Sequence, residues 1–161
     1  MSQTLNIIKK TVWLRSFGLF KVPLIFAVGP KVLQLDAQRA AVLIPLNRFT
    51  RNHLKSMYFG TLCIGADCSA GAIAMHLAEK DNKNISLVFK DLNAQFLRRP
   101  DGDVLFVCED GPQISLAIEA AHQTGLRQNC TVNVNATVPS ISKTDVVAKF
   151  SLTLSLKSVK K

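Results

Sequence analysis

Hydrophobic residues recur along the chain with two different spacings, which together predict the order of helices and strands. Helical patterns cover residues 12–26, where Pro23 is expected to bend or end the helix, and residues 58–80. Alternating or continuous apolar runs predict strands elsewhere. These strands fall at residues 32–36, 40–46, 85–97, 102–108, 130–138 and 145–156, and a short helix over residues 112–124 closes at Gly125.

This order of elements indicates an α+β fold in which an antiparallel sheet of about six strands wraps around the long helix. The long helix is rich in glycine and alanine, so a curved sheet can approach its backbone closely. The chain has 161 residues, about the length of one domain. We therefore expect a single domain over residues 1–161, with the helical residues 1–30 packed on it.

Asp67 is the one acidic residue within the apolar, small-residue stretch formed by residues 60–75. Its neighbours within about 60° on a helical wheel are Gly60, Cys63, Ile64, Gly71, Ala74 and Ala78. Burying an unpaired carboxylate is costly, so Asp67 should have a hydrogen-bonding partner, a raised pKa or a place in a wet cleft. The last two properties are typical of functional sites. A core helix that is merely rich in small residues is the alternative interpretation of this segment.

Charge and cysteine content narrow the classes of partner and the compartment. The net charge of +9 favours anionic partners, but no aromatic and basic recognition module supports nucleic-acid binding. The four cysteines show no CxxC pair, so we expect no metal site, no disulfide framework and a reducing cytoplasmic compartment. Arg15, Lys21 and Pro23 interrupt the apolar N-terminal stretch, which argues against stable membrane insertion. Surface association with a membrane is a minor alternative.

The spacing of Asn52, Tyr58, Gly60 and Asp67 resembles that of the hotdog-fold acyl-CoA thioesterases of the phenylacetate-pathway type. In those enzymes an Asn precedes Gly-Thr-x-His-Gly-Gly at the helix start, and an acid follows nine residues after the His, as Asp67 follows Tyr58. Residues 52–60 and 94–104 are more similar still to a thioesterase-like branch of that superfamily. Tyr58 departs from the pattern by replacing the His, and Phe59 by replacing the first Gly, while Gly60 matches the second.

The resemblance implies a hotdog fold and hydrolysis of an acyl-CoA thioester. Asp67 would act as nucleophile or general base, and Asn52 would hold the thioester or the attacking water. The N–H of Phe59 or Gly60 would polarise the carbonyl, because a helix start offers unpaired donors and a positive dipole end. Tyr58 can donate a phenolic hydrogen bond in place of the imidazole. The side chains expected to contact the coenzyme A phosphates are Arg48, Arg51, Lys90, Arg98 and Arg99.

The resemblance also implies a homodimer or tetramer whose active sites are shared between subunits, so that Asp67 faces residues of a second copy. No cofactor is expected, since coenzyme A is part of the substrate. One alternative is a non-catalytic hotdog protein that binds acyl-CoA or fatty acid, which the missing His and Gly favour. A hydratase or dehydratase of enoyl thioesters is a weaker alternative, because its usual pair of His and acid is missing.

Overall fold

The computed structural model describes residues 2–159, which form four helices and six strands. The helices are α1 (Ser2–Lys21), α2 (Pro23–Ala27), α3 (Phe59–Lys80) and α4 (Gly111–Thr124). The strands are β1 (Lys31–Leu35), β2 (Ala40–Ile44), β3 (Ile85–Phe96), β4 (Val104–Cys108), β5 (Gln128–Val138) and β6 (Ser142–Ser158). The element order predicted from the hydrophobic pattern is confirmed.

The N-terminal helix starts earlier than predicted and ends, as expected, before Pro23. It begins by Ser2, ten residues before the predicted start. Polar contacts join its third turn to β1. The Lys10 ammonium donates to the Leu35 carbonyl, and Thr11 Oγ1 accepts a 3.0 Å bond from the N–H of Val32. As predicted, the first helix ends before Pro23, which becomes the first residue of α2. Proline suits that position because it needs no partner for an N–H.

The six strands form one antiparallel sheet in the order β1-β2-β4-β5-β6-β3. Helix α3 contacts all six strands, so the sheet curves around it, as the α+β prediction expects. β1 and β3 form the two edges of the sheet. Within residues 2–159 no strand pairs with the outer edge of β3, which is twelve residues long.

Small residues on α3 bring its backbone against the sheet. A Cβ atom at Gly65 would lie only 2.3 Å from the ring of Phe106, which is fully buried on β4. Real Cβ atoms do not approach other atoms this closely, so the packing depends on glycine at this position. The predicted close approach of sheet and helix is therefore observed, and it sets the position of α3 within the curved sheet.

Side chains of α1 form hydrogen bonds that hold this helix on the rest of the fold. The Arg15 guanidinium donates to the carbonyls of Pro30 and Gly29, at 2.9 and 3.1 Å. Trp13 Nε1 donates to Glu79 Oε1 at 3.3 Å, which joins α1 to the last turn of α3. Within residues 2–159, α3 alone is long and apolar enough to cross a membrane, and most of it is buried inside the fold.

Candidate functional site

Asp67 lines an apolar cavity of about 200 Å³, which lies between α3, the N-terminal helices and β3. Its carboxylate is the only charged group among the residues that line the cavity. A Cβ atom at Gly71 would lie 3.5 Å from Asp67 Oδ1, in agreement with the helical wheel. The lining residues are Leu14, Phe17, Val22, Ile25, Asp67, Cys68, Gly71, Ala72, Met75, Leu87 and Phe89.

Burial in this cavity raises the pKa of Asp67 from 3.8 to about 6. The cause is desolvation, which disfavours the charged form of the carboxyl group. No side-chain hydrogen bond within the described residues 5–159 involves Asp67, so no side chain among them offsets this loss of hydration. A carboxylate that titrates near pH 6 is mostly ionised at neutral pH and is basic enough to accept a proton there. The neighbouring Cys68 is no competing nucleophile, since burial and the charge of Asp67 raise the pKa of its thiol.

The start of α3 forms the floor of a second, more open cleft of about 640 Å³. The backbone N–H of Met57 donates to the Pro100 carbonyl and that of Tyr58 to the Thr50 carbonyl, at 2.9 and 2.8 Å. These bonds hold the helix start against two loops. The cleft is lined by Asn52, His53, Ser56, Met57, Tyr58, Phe59, Leu62, Phe96, Leu97, Arg98, Arg99 and Pro100.

Helix α3 begins without a side-chain cap and without an acidic residue in its first turn. The N–H groups of Phe59 and Gly60 have no hydrogen-bond acceptor among residues 2–159. These donors and the positive end of the helix dipole are therefore available to a developing negative charge. This is the backbone feature that an oxyanion hole requires.

Aromatic rings surround these free donors. The ring of Tyr58 lies on Gly60, where an added Cβ would be 2.5 Å from the ring, so the tyrosine occupies its position only because residue 60 is glycine. The exposed Phe59 ring contacts Tyr58 and meets Phe96 edge to face, with ring centroids 6.2 Å apart. The two departures from the thioesterase pattern thus form one aromatic wall at the helix start.

The side chain of Asn52 bonds to its own loop. Its Oδ1 accepts bonds from the N–H of Leu54 at 2.9 Å and of Ser56 at 3.3 Å, and its Nδ2 donates to Ser56 Oγ at 3.1 Å. Lys55 adopts a left-handed conformation, with φ of 65°, in the same turn. The amide lines the cleft but is already engaged in holding the turn that leads into α3.

The basic residues predicted to contact phosphate fall into two groups. Arg98 and Arg99 line the cleft, and each already pairs with a carboxylate: Arg98 with Asp145 at 3.0 Å, and Arg99 with Asp101 at 3.5 Å. Both pairs are exposed and therefore contribute little to stability. The remaining three predicted side chains are exposed and do not line the cleft; they are Arg48, Arg51 and Lys90.

The cavity at Asp67 and the cleft at the helix start share no lining residue. Asp67 lies nine positions after Tyr58, a distance of about 13 Å along the helix axis. A single thioester group cannot contact both within one chain. The structure thus places the predicted base and the predicted oxyanion donors in two separate pockets.

The sequence interpretation missed the apolar walls of both pockets. Leu14, Phe17 and Ile25 bring the N-terminal helices over Asp67, and Phe96 and Leu97 complete the cleft. The spacing of Leu14 and Phe17 on one helical face was a usable signal for a packed surface. Long-range packing decides which part of the fold this surface covers, and a local sequence pattern does not specify that packing.

A curved sheet wrapped around a central helix, with a cleft at the helix start, defines a hotdog fold, and solved structures confirm it. A protein of unknown function from Chlorobaculum tepidum has a TM-score of 0.81 and 13% identity, covering 95% of this chain and 97% of its own. A candidate thioesterase from Shewanella oneidensis has a TM-score of 0.77 and 14% identity, covering 94% and 99%. A thioesterase from Haemophilus influenzae has a TM-score of 0.61 and 11% identity, covering 86% and 85%.

The chain belongs to the family described as domain of unknown function DUF4442, whose model matches residues 11–156. A search of curated proteins gives no match. The expected resemblance to the hotdog thioesterase superfamily is confirmed in the fold. The identities to the solved structures are low, so these structures establish the fold alone.

Proposed function

We propose that this protein hydrolyses acyl thioesters of coenzyme A, with Asp67 as the base that activates water or as the nucleophile. The observation that supports this most strongly is the carboxylate of Asp67 in an apolar cavity, without a side-chain hydrogen bond among residues 5–159 and with its pKa raised to about 6. At neutral pH this group is ionised and weakly hydrated, which suits both roles. The acyl group would occupy the cavity, whose volume of about 200 Å³ slightly exceeds that of an engineered cavity that holds benzene.

The carbonyl oxygen of the substrate would bind the free N–H groups of Phe59 and Gly60 at the start of α3. These donors are fixed by the backbone and lie at the positive end of the helix dipole, so they stabilise the oxyanion of a tetrahedral intermediate. The open cleft beside them would hold the coenzyme A moiety. Its aromatic wall offers rings for stacking, and Arg98 and Arg99 offer charge for phosphate groups.

A homodimer would join the two halves of the site. Because Asp67 lies about 13 Å from the helix start of its own chain, the oxyanion donors would come from the partner's helix. The free edge of β3 is suited to this contact, since two copies can pair there and continue the sheet. Leu87 and Phe89 on β3 line the Asp67 cavity, so this pairing would bring the second copy to the carboxylate.

A panel of acyl-CoA thioesters, scored for release of free thiol by the purified chain, tests the proposed reaction. Asp67→Asn should abolish release, while Asp81→Asn at the exposed end of α3 should leave it unchanged. For the wild type, kcat/KM should fall as pH drops through about 6, because the carboxylate becomes protonated and can no longer accept a proton. Unaltered turnover by Asp67→Asn, with the dimer intact, would refute the assignment.

A non-catalytic acyl-CoA-binding protein is the second candidate, and two observations favour it. The Asn52 amide is occupied within its own turn, and the exposed Phe59 ring stands where the thioesterases have glycine. Calorimetric titration with the same acyl-CoA panel separates the two functions. Binding without thiol release would select the second candidate, whereas thiol release that depends on Asp67 would exclude it.

A further inference from the structure

Helix α1 has a second apolar face, which points away from the fold. The four exposed residues Leu5, Ile8, Val12 and Leu19 lie within about 60° of one another around the helix axis. They extend over about 20 Å of its length. The opposite face carries the buried Leu14, which packs in the core. Monomeric soluble proteins rarely expose an apolar stripe of this length. The stripe therefore indicates a surface that binds a partner.

The corner between α1 and α2 extends this apolar surface. Phe20 is 78% exposed and Leu24 is 66% exposed, and Val22 and Phe26 are also exposed. We define the docking surface as the four stripe residues of α1 together with these four corner residues.

The charge around the docking surface identifies the chemistry of its partner. The first 35 residues contain no Asp or Glu, and their basic residues are Lys9, Lys10, Arg15, Lys21 and Lys31. Lys9 lies beside the stripe, about 40° from Leu5 around the helix axis, and Lys21 follows Phe20 at the corner; both lysines are exposed. A second copy seated on this surface would bring like charges together, which is unfavourable. A bilayer that contains anionic lipid offers both an apolar interior and negative head groups.

We propose that α1 and α2 dock this protein on the surface of an anionic membrane. The helices lie in the plane of the interface, with the apolar side chains of the docking surface among the acyl chains and the lysines at the head groups. The inference is independent of the hydrolysis proposed above. The docking surface adjoins the Asp67 cavity at Val22, which belongs to both.

Co-sedimentation of the full chain with lipid vesicles tests the proposal. We expect strong binding to vesicles of phosphatidylcholine mixed with phosphatidylglycerol, and weak binding to phosphatidylcholine alone. Added salt should weaken binding to the anionic vesicles, since it screens the attraction between lysines and head groups. Equal binding to both kinds of vesicle, or binding to neither, would overturn the proposal.

Variants separate the apolar from the electrostatic part of docking. Phe20→Ser combined with Leu24→Ser should reduce the affinity for anionic vesicles at least tenfold. Lys9→Gln combined with Lys21→Gln should reduce this affinity about fivefold for each charge removed. Leu116→Ser, at a comparably exposed leucine on α4, is the matched control and should bind like the wild type.

The same variants test whether a second copy covers this surface instead. Circular dichroism checks that each variant is folded, and sedimentation velocity gives its oligomeric state. Loss of vesicle binding by the Phe20 and Leu24 variant, with its oligomeric state unchanged, supports membrane docking. Dissociation of an oligomer with unchanged vesicle binding would show that a second copy occupies the surface and would refute the proposal.

Discussion

Replacing Asp67 with asparagine should increase the free energy of unfolding at neutral pH, although it should also remove the proposed base. In the unfolded chain the carboxyl group loses its proton near pH 3.8, whereas in the folded chain it keeps the proton until about pH 6. Ionisation therefore favours the unfolded state. The resulting penalty is absent well below pH 3.8, grows between pH 3.8 and about 6, and is constant at higher pH.

The size of the effect follows from the two pKa values. A difference of about 2 between the folded and unfolded states corresponds to about 3 kcal/mol at a pH above both values. Asparagine resembles the protonated aspartic acid in size and polarity, so Asp67→Asn should recover about 2 to 3 kcal/mol at pH 8. At pH 4 the gain should be below about 1 kcal/mol, because the folded wild type is then protonated.

Urea unfolding followed by circular dichroism, at pH 8 and at pH 4, measures both values. Protein concentration must be the same throughout, since the proposed dimer would make the apparent stability depend on it. The control Asp91→Asn changes an exposed carboxylate on β3 and should shift the free energy of unfolding by less than about 0.5 kcal/mol at either pH. A variant at Asp67 that is no more stable than the wild type at pH 8, or equally stabilised at both pH values, would refute the reasoning.

Two further changes test the packing of α3 and the free sheet edge. Gly65→Ala should lower the free energy of unfolding by about 2 kcal/mol, because its Cβ would lie 2.3 Å from the ring of Phe106. At Gly71 the nearest contact of an added Cβ is at 3.5 Å, so Gly71→Ala should raise the free energy of unfolding by about 0.5 kcal/mol in the same urea assay. Equal effects of the two substitutions would contradict the close approach of sheet and helix. Val88→Lys combined with Leu92→Lys, at exposed positions of β3, should convert a dimer to monomers and abolish thiol release together. A variant that still sediments as a dimer would show that the contact lies elsewhere.

Most of the fold could be predicted because its elements carry strong local signals. The small-residue helix from Phe59 to Lys80 and the alternating strand β6 are long enough for their periodicity to be unambiguous. The start of α1 was not predictable in the same way. Its third turn is held on β1 by the bonds of Lys10 and Thr11, which are contacts between residues far apart in the sequence.

The candidate site was predictable only in part. The apolar surroundings of Asp67 followed from helix geometry, since the wheel already places Gly71 beside it. The bonds that engage Asn52 depend on a turn in which Lys55 takes a left-handed conformation, and no spacing rule specifies that turn. The cover over Asp67 depends on where α1 and α2 pack, which is decided by the tertiary structure.

The hydrogen bond between Trp13 and Glu79 has a practical consequence for following the motions of the protein. Trp13 is the only tryptophan in the chain, and its indole N–H donates to the last turn of α3 at 3.3 Å. Detachment of α1 from α3 would break this bond and transfer the indole to water, which changes its fluorescence. The unlabelled protein thus contains a single spectroscopic reporter at the junction between the N-terminal helices and the central helix.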